Sequence, residues 1–518
     1  MKNSRYWLLF AIGTLGWLVI SLVIAPCMSG VDVMVFRDAG WNLASTGSFE
    51  AAGLEYMRDL TPKLYAHYTP LQPLLFAGYA SLFPRNQYAG TIFNLLLGIL
   101  AAATALYWVL RTDCNSRLKT CVALAIAAFP VAFITYDRPE PVGFVLACLT
   151  TAYTARTNSR PVLIGLLAAL TFLAHPFAAL VLSLWVVAFL LLRNWASPTR
   201  FVTTLLQTGV VGIVAAFILS STATLYYFLD PSSIKRFAVH ALGFNSGLGF
   251  ALHSKTSYSG AFMNLSVLQT LRLHGIHILL NIDTLSSLLI IILLAAWALL
   301  NIKRLGYTEW IPLTAGFLST LLALSLFPRQ NYYMDLLAFL VPVALLIAGR
   351  WSPKLSTPGL ALLLLAIFSV SFPSFALSLL LRFEERSSYL TARNQASYLL
   401  AHLPSPESVV ALDGDLYDLY KPSIHHIFNT QHLADGPVDT STVAGIVNCY
   451  AGYAGAPNVI RPLQSELGPS DFHLIQPAPE HLWMTLFGRR VTTSQWGYSC
   501  DLYVRNSMSA THSTNATP

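Results

Sequence analysis

Long apolar runs alternate with short polar connections along the chain, which is the pattern of a protein that crosses a membrane many times. The first run covers residues 6–26, and about twenty apolar residues are enough to span the ~30 Å hydrocarbon core of a bilayer as a helix. Runs of this kind predict an α-helical polytopic membrane protein with about eleven transmembrane helices. The predicted spans are residues 6–26, 88–110, 118–135, 141–156, 161–175, 178–193, 201–226, 284–302, 308–326, 331–349 and 356–381.

Basic residues mark alternate connections between these runs and predict the orientation of the chain. Lys2 and Arg5 precede the first run, and Arg111, Arg117 and Lys119 follow the second. Because Lys and Arg are enriched in cytoplasmic loops, we expect a cytoplasmic N-terminus, which starts an uncleaved signal anchor. An odd number of crossings then places the C-terminus outside. The expected location is the bacterial inner (plasma) membrane.

The first outer connection is long, from residue 27 to residue 87, and carries two shorter apolar stretches. In residues 33–44 the apolar positions recur at helical spacing, Gly47 is typical of a helix end, and Asp32 is typical of an N-cap. Residues 70–83 are apolar but too few to cross the bilayer. We therefore predict two interfacial helices lying in the membrane surface. The spacing leaves two roles open for Asp32, either as the cap alone or as a base acting on a substrate with one apolar end.

Hydrophobicity falls after residue 382, so a transmembrane module, 1–382, is predicted to precede a small outer α/β domain, 383–506. Residues 384–403 have helical spacing, whereas residues 408–412 and 472–475 resemble strands. The tail, 507–518, is rich in Ser, Thr and Asn and is expected to be disordered. Cys449 and Cys500 are the only cysteines of this domain. They are able to pair in an oxidising outer compartment.

The amino-acid composition narrows the classes of function that are compatible with the chain. The 518 residues are 55% hydrophobic and only 11% charged, whereas soluble proteins carry about a quarter charged residues. The net charge of +7 is spread over short loops, which indicates topology rather than a nucleic-acid surface, so no nucleic-acid partner is expected. The six cysteines form no Cys-x-x-Cys pair, which argues against a zinc or redox site.

Ionisable residues inside or beside the spans are few, and such residues are functional candidates by default. Asp137 and Glu140 fall at the outer end of the third span, where the alternative is a structural ion pair with Arg138. His175 closes the fifth span before a proline, and a packed helix-end residue is the simpler interpretation of it.

Two later segments carry basic residues at the outer face. The long outer loop, 230–283, contains several Lys, Arg and His residues and either closes over a lipid phosphate or merely touches headgroups. Arg329 with Tyr332 and Tyr333 opens the tenth span. A guanidinium can grip phosphate oxygens in a fork, and the alternative is an aromatic-belt anchor with a snorkelling Arg.

These motifs together resemble the C-type (GT-C) superfamily of integral-membrane glycosyltransferases, especially the lipid A aminoarabinose and protein O-mannosyl transferases. The first outer loop of that family starts with an acidic residue, followed by Tyr or Phe four positions on and Gly about fifteen on. Asp32, Phe36 and Gly47 stand at those offsets. Val33 departs from the family, which usually has a second acidic residue there.

Two further segments carry the resemblance, which covers roughly the first 200 residues. Tyr68-Thr69-Pro70-Leu71-Gln72-Pro73 resembles the Tyr-Pro-Pro-Leu segment of the family, with Thr69 in place of the first proline. Asp137-Arg138-Pro139-Glu140-Pro141 resembles the acidic second outer loop. Beyond that stretch, Arg329 with Tyr332 and Tyr333 resembles a late segment of these transferases in which the arginine lies near the donor phosphate, which slightly favours phosphate contact for Arg329. The order and spacing of these motifs carry more weight than any one of them.

The resemblance implies an inverting glycosyltransferase that moves a sugar from a polyprenyl-phosphate donor to an acceptor hydroxyl at the outer face, with Asp32 as the catalytic base. The acceptor is a lipid, a glycan or a protein, and membrane lipids surround the enzyme. No residue is assigned as a metal ligand. A divalent metal near Asp32 and Glu140 is compatible with the sequence but not required by it. The expected substrate- and donor-binding residues are Asp38, His67, Tyr68, Asp137, Arg138, Glu140, His175, Arg329, Tyr332 and Tyr333.

The alternative function is a polytopic transporter or flippase of a lipid-linked substrate. Such a protein predicts charges or broken helices near the bilayer midplane and two related halves. The ionisable residues instead cluster at the outer interface, and no internal repeat is visible, which favours the transferase.

Overall fold

The fold is taken from a computed structural model of the whole chain. It describes nine helices in the N-terminal part and seven strands in the C-terminal part. The described residues are 3–24, 37–49, 70–83, 89–111, 116–128, 130, 140–156, 158–223, isolated helical positions between 292 and 401, and 409–412, 427–428, 443–450, 472–476, 484–486, 489–491 and 499–506. The helices are α1 (Ser4–Ile24), α2 (Asp38–Thr46), α3 (Leu71–Ala80), α4 (Ala89–Arg111), α5 (Ser116–Ile126), α6 (Glu140–Thr154), α7 (Pro161–Ala174), α8 (Pro176–Arg193) and α9 (Pro198–Ala223).

Two described helices are long and apolar enough to cross a membrane: α1, over Ser4–Val23, and α9, over Pro198–Leu219. Both present large apolar side chains on their exposed faces, such as Leu8 on α1 and Ile213 on α9. A surface of this kind suits contact with lipid better than contact with water. These features indicate a membrane location.

The described helices pack on one another, some as neighbours along the chain and others across an intervening segment. Helix α7 lies against α6, α8 and α9, whereas α4 packs on α6, α1 on α5, and α2 on α3. Helices α7 and α9 cross closely where Gly165 faces Gly212; a Cβ atom at Gly165 would lie 2.6 Å from the carbonyl oxygen of Thr208. Small residues allow helices to approach this closely in membranes, where no hydrophobic effect drives them together.

The first interfacial helix differs from its prediction at its start. Helix α2 begins at Asp38, and Arg37 occupies its N-cap position without a side-chain capping bond, so the prediction that Asp32 caps this helix is wrong. Asp38 instead places a carboxylate in the first turn, where the positive end of the helix dipole favours it. The predicted end is confirmed, because Gly47 adopts φ 76° and its N–H bonds the carbonyl of Leu43. Asp32 itself lies outside the described residues.

The other helices predicted before residue 223 agree with the structure where it describes them. Helices α1, α3, α4 and α6 to α9 match the predicted stretches within a few residues. Within the predicted span at 118–135, α5 ends at Ile126, a turn follows at residues 127–128 and residue 130 is helical, whereas residues 129 and 131–135 lie outside the described residues. The predicted spans after residue 223 lie outside the described residues except at isolated helical positions.

The C-terminal strands form a mixed five-stranded sheet in the order β2-β1-β3-β7-β4 and a separate two-stranded ribbon, β5-β6. Strand β1 runs parallel to β2 and β3, whereas β7 runs antiparallel to β3 and β4. The predicted strands at 408–412 and 472–475 are confirmed as β1 and β4, and positions 390, 393, 394, 397, 400 and 401 are helical as expected. The strands are β1 (Val409–Leu412), β2 (Ile427–Phe428), β3 (Val443–Tyr450), β4 (Phe472–Gln476), β5 (Met484–Leu486), β6 (Arg489–Val491) and β7 (Ser499–Arg505).

Candidate functional site

The two interfacial helices and the start of α4 enclose an aromatic cluster. Gly40 of α2 lies so close to α3 that a Cβ atom there would be 3.2 Å from the Phe76 ring. Phe76 makes edge-to-face contacts with Trp41 of α2, at 4.9 Å between centroids, and with Phe93 of α4, at 5.2 Å. Tyr79, one turn further along α3, stacks with Phe76 at 5.8 Å. The cluster holds α2 and α3 rigidly on the end of α4.

Arg37 is the charged member of this cluster, and the sequence analysis did not single it out. Its side chain is only 1% exposed, and its guanidinium carbon lies 5.5 Å from the centroid of the Phe76 ring. The guanidinium also fills the space beside Gly90, where any larger side chain would overlap it. A buried, always-charged group is costly unless it is compensated, so its position is strongly specified. The available signal was a lone arginine in an apolar helical stretch at the predicted membrane surface.

Asp38, one of the expected binding residues, is fully buried next to Arg37. Its carboxylate accepts a hydrogen bond from the amide of Asn42 at 3.4 Å. The formal charges of Asp38 and Arg37 cancel, so this end of α2 brings two ionic groups into the protein at no net charge. Asp38 therefore lies beside the Arg37 cluster and is not exposed to solvent.

Burial raises the pKa of the Tyr79 phenol, and the nearby Arg37 guanidinium partly opposes this rise. The ordinary tyrosine pKa is already about 10, so the hydroxyl keeps its proton at neutral pH. Tyr79 can therefore donate a hydrogen bond but does not act as a base.

Two buried carboxamides also lie in this region. Gln72 and Asn94 are both fully buried, and they stand one helical turn from Phe76 and Gly90 respectively. Both polar atoms of the Gln72 carboxamide lack a hydrogen-bond partner. The sequence predicted no role for either residue, because a lone amide in an apolar helix carries no pattern.

His175, another expected binding residue, lies at the junction of α7 and α8. Its Nδ1 atom accepts a hydrogen bond from the backbone N–H of Ala178 at 3.1 Å, so the side chain caps α8. An accepting Nδ1 carries no proton, which leaves the proton of the neutral ring on Nε2. The ring is fully buried and packs on Gly143 of α6, where a Cβ atom would lie 2.9 Å from that of His175. This geometry fits the packed helix-end role.

The opposite end of α4 carries different chemistry. The carbonyl of Leu110 accepts hydrogen bonds from the Asn3 amide at 3.5 Å and from the Lys119 ammonium at 3.4 Å. Gly90, beside Arg37, stands twenty positions before Leu110 on the same helix, which corresponds to about 30 Å at 1.5 Å per residue. The Arg37 cluster and the basic N-terminus of the chain are thus separated by about the thickness of the hydrocarbon core of a bilayer.

Most of the other expected site residues lie outside the described part of the chain. The backbone of Glu140 begins α6. Among the described residues, no group of three or more His, Cys, Asp or Glu side chains is placed to hold a metal ion. The expected site residues outside the described part are Asp32, His67, Tyr68, Asp137, Arg138, Arg329, Tyr332 and Tyr333.

Comparison with known proteins gives distant structural similarities. No family model matches the chain, and no curated protein is similar to it. It is similar to the crystal structure of ArnT from Cupriavidus metallidurans in the apo state, with 14% identity and a TM-score of 0.40 over 98% of both chains. It is also similar to that protein bound to undecaprenyl phosphate, with 13% identity and a TM-score of 0.37 over 97% of this chain and 98% of the other.

Proposed function

We propose that the protein is an inverting glycosyltransferase that moves a sugar from a polyprenyl-phosphate donor to an acceptor hydroxyl at the outer face of the membrane. The observation that carries the proposal is the arrangement of α2 and α3. The sequence motifs predict two short helices between the first two spans, and α2 and α3 pack on each other around buried Arg37 and Asp38. Ionisable groups at the membrane interface, rather than at its middle, suit chemistry on a lipid headgroup.

The dimensions of α4 support the same arrangement. The Arg37 cluster and the Lys119 contact stand at opposite ends of this helix, about 30 Å apart. With the basic N-terminal end in the cytoplasm, the cluster faces the outer leaflet. A transporter predicts charges near the midplane, and the described part of α4 between Gly90 and Leu110 contains none.

The proposed reaction needs one base and a cationic site for the leaving phosphate. Asp32 removes the proton from the acceptor hydroxyl, whose oxygen attacks the anomeric carbon. The bond between that carbon and the phosphate oxygen breaks on the opposite side, so the configuration inverts and polyprenyl phosphate leaves. Arg329, with Arg138 or the basic residues of the 230–283 loop, stabilises the phosphate charge.

The test uses membranes that contain the full-length protein and a set of radiolabelled polyprenyl-phosphate sugars. We expect transfer of one label, and we expect Asp32→Asn to lower the rate by ~10²–10⁴-fold, the usual loss for a missing general base. Gly209→Ala serves as the control, because a Cβ atom at Gly209 meets nothing within 4 Å. Normally inserted Asp32→Asn protein that transfers sugar at the wild-type rate would show that the proposed mechanism is wrong.

Asp38→Asn is a second informative variant, but not a neutral one. Asp38 is fully buried and bonded to Asn42, so its replacement should lower stability as well as activity. The Asp32 and Asp38 variants are therefore compared at equal amounts of folded protein. A loss with Asp38→Asn alone would transfer the role of base to Asp38.

A further inference from the structure

Gln72 stands out among the buried polar side chains of the described residues. It lies in the first turn of α3 and is fully buried, yet neither Nε2 nor Oε1 of its carboxamide has a hydrogen-bond partner. Native proteins satisfy almost all buried polar groups, and an exception calls for a specific explanation.

Packing alone does not explain a glutamine at this position. Methionine or leucine would occupy a similar volume and would need no hydrogen bond, so either would stabilise the ligand-free chain better. Gln72 also lies on the same face of α3 as Phe76 and Tyr79, which follow it one and two turns later. A planar polar group beside aromatic rings is a common lining of small-molecule sites.

We propose that the Gln72 carboxamide binds a hydroxyl group of the sugar that this enzyme transfers. This inference rests on the function proposed above. The carboxamide has one atom that donates and one that accepts, and a sugar hydroxyl can do both. A phosphate only accepts hydrogen bonds, so it would leave Oε1 unsatisfied. Gln72 therefore binds the sugar of the donor and not its phosphate.

Binding at Gln72 requires a change in packing. Both carboxamide atoms are shielded in the ligand-free chain, so the sugar reaches them only when the groups around the first turn of α3 separate. The unsatisfied carboxamide favours that opening, because it gains its missing hydrogen bonds from the ligand. Gln72 thus lowers the stability of the ligand-free protein and contributes to ligand binding instead, as residues of binding sites commonly do.

The first experiment measures stability and needs no ligand. Thermal unfolding of the full-length protein in detergent is compared for the wild type, Gln72→Met and Gln72→Leu. We expect both variants to melt about 2–4 °C higher, because each removes an unsatisfied buried group. Gln207→Met is the matched control, since Gln207 is exposed on α9 and its replacement should leave the melting temperature unchanged. Unchanged or lower melting temperatures for both Gln72 variants would mean that the carboxamide is satisfied, and would overturn the proposal.

The second experiment measures binding of undecaprenyl phosphate and of the same lipid carrying glucose, mannose or aminoarabinose. We expect the wild type to bind one sugar-bearing lipid more tightly than the bare lipid phosphate, and Gln72→Met to lose about tenfold of that affinity. The affinity for undecaprenyl phosphate itself should stay the same in the variant. An equal loss for the bare lipid would assign Gln72 to the phosphate and would contradict the proposal.

The two proposals fail in different ways. If the wild type transfers sugar and Gln72→Met retains the full preference for the sugar-bearing lipid, the assignment of Gln72 is wrong while the glycosyltransferase function stands. If the wild type neither binds nor transfers any lipid-linked sugar, the function itself is wrong, and a sugar ligand for Gln72 is excluded with it.

Discussion

The crossing of α7 and α9 provides a sharp test of the structure, and the perturbation is one methyl group. In Gly165→Ala the new Cβ atom would lie 2.6 Å from the carbonyl oxygen of Thr208, 3.0 Å from the Gly212 nitrogen and 3.0 Å from the Val211 Cβ. Two of these atoms belong to the backbone of α9, so they cannot rotate away as a flexible side chain would. The two helices must therefore move apart.

The magnitude follows from two opposing effects. Alanine favours helix over glycine by about 0.5–1 kcal/mol, whereas overpacking a close contact costs about 1–3 kcal/mol. Gly209→Ala on α9 gains the first effect without the second, because its Cβ atom would meet nothing within 4 Å. The difference in the free energy of unfolding between the two variants thus isolates the clash, at about 1–3 kcal/mol.

The assay is thermal unfolding of each purified variant in the same detergent, followed by tryptophan fluorescence and by survival of the monodisperse protein after heating. We expect Gly165→Ala to unfold at a lower temperature than Gly209→Ala, and Gly209→Ala to match or exceed the wild type. Equal unfolding temperatures for the two variants would mean that α7 and α9 do not cross at Gly165 and Gly212.

Two other predictions concern residues outside the helical part just tested. Arg329→Ala should weaken use of the lipid donor by roughly ten- to a hundredfold, since a charge-assisted phosphate contact contributes about 1.5–3 kcal/mol; kinetics at varied donor concentration measure this, and unchanged donor dependence would favour the membrane-anchor role. Cys449 and Cys500 should form a disulfide, since they are paired across β3 and β7; peptide mass spectrometry of protein purified without reductant checks this, and two free thiols would refute it.

The helices were predictable because their signal is local. A run of apolar residues bounded by basic or proline-containing connections defines α1, α4 and α6 to α9 whatever the tertiary structure is. The start of α2 was not predictable in this way. Asp32 and Asp38 are both good residues for a helix N-terminus, and the choice between them depends on the burial of Arg37 and Asp38 against α3 and α4, which capping rules do not include.

The sheet shows the same limit of prediction from sequence alone. Composition and alternation predicted strands at β1 and β4, but the strand order β2-β1-β3-β7-β4 depends on pairing between distant segments. Strand β7, the last in sequence, lies between β3 and β4, which places Cys449 opposite Cys500. Opposite residues of antiparallel strands have Cα atoms about 4.5–5.5 Å apart, within the range of about 4.4–6.8 Å that disulfides use. The sequence indicated a pair only because the domain contains no other cysteine. The register of β3 and β7 adds the geometry, because it places the two residues opposite each other.

The charges around Arg37 bear on where the donor phosphate of the proposed reaction would bind. Arg37 is the buried cation next to the predicted membrane surface, yet the adjacent Asp38 is buried with it, and their formal charges cancel. A neutral pair does not by itself compensate the added charge of a phosphate, so an enzyme of the proposed kind needs a further cation at the leaving group. The sequence offers such cations at Arg138, at Arg329 and in the 230–283 loop. Arg37 is therefore better suited to fixing α2 against Phe76 and Gly90 than to contacting a phosphate, and we propose Arg329 for that contact.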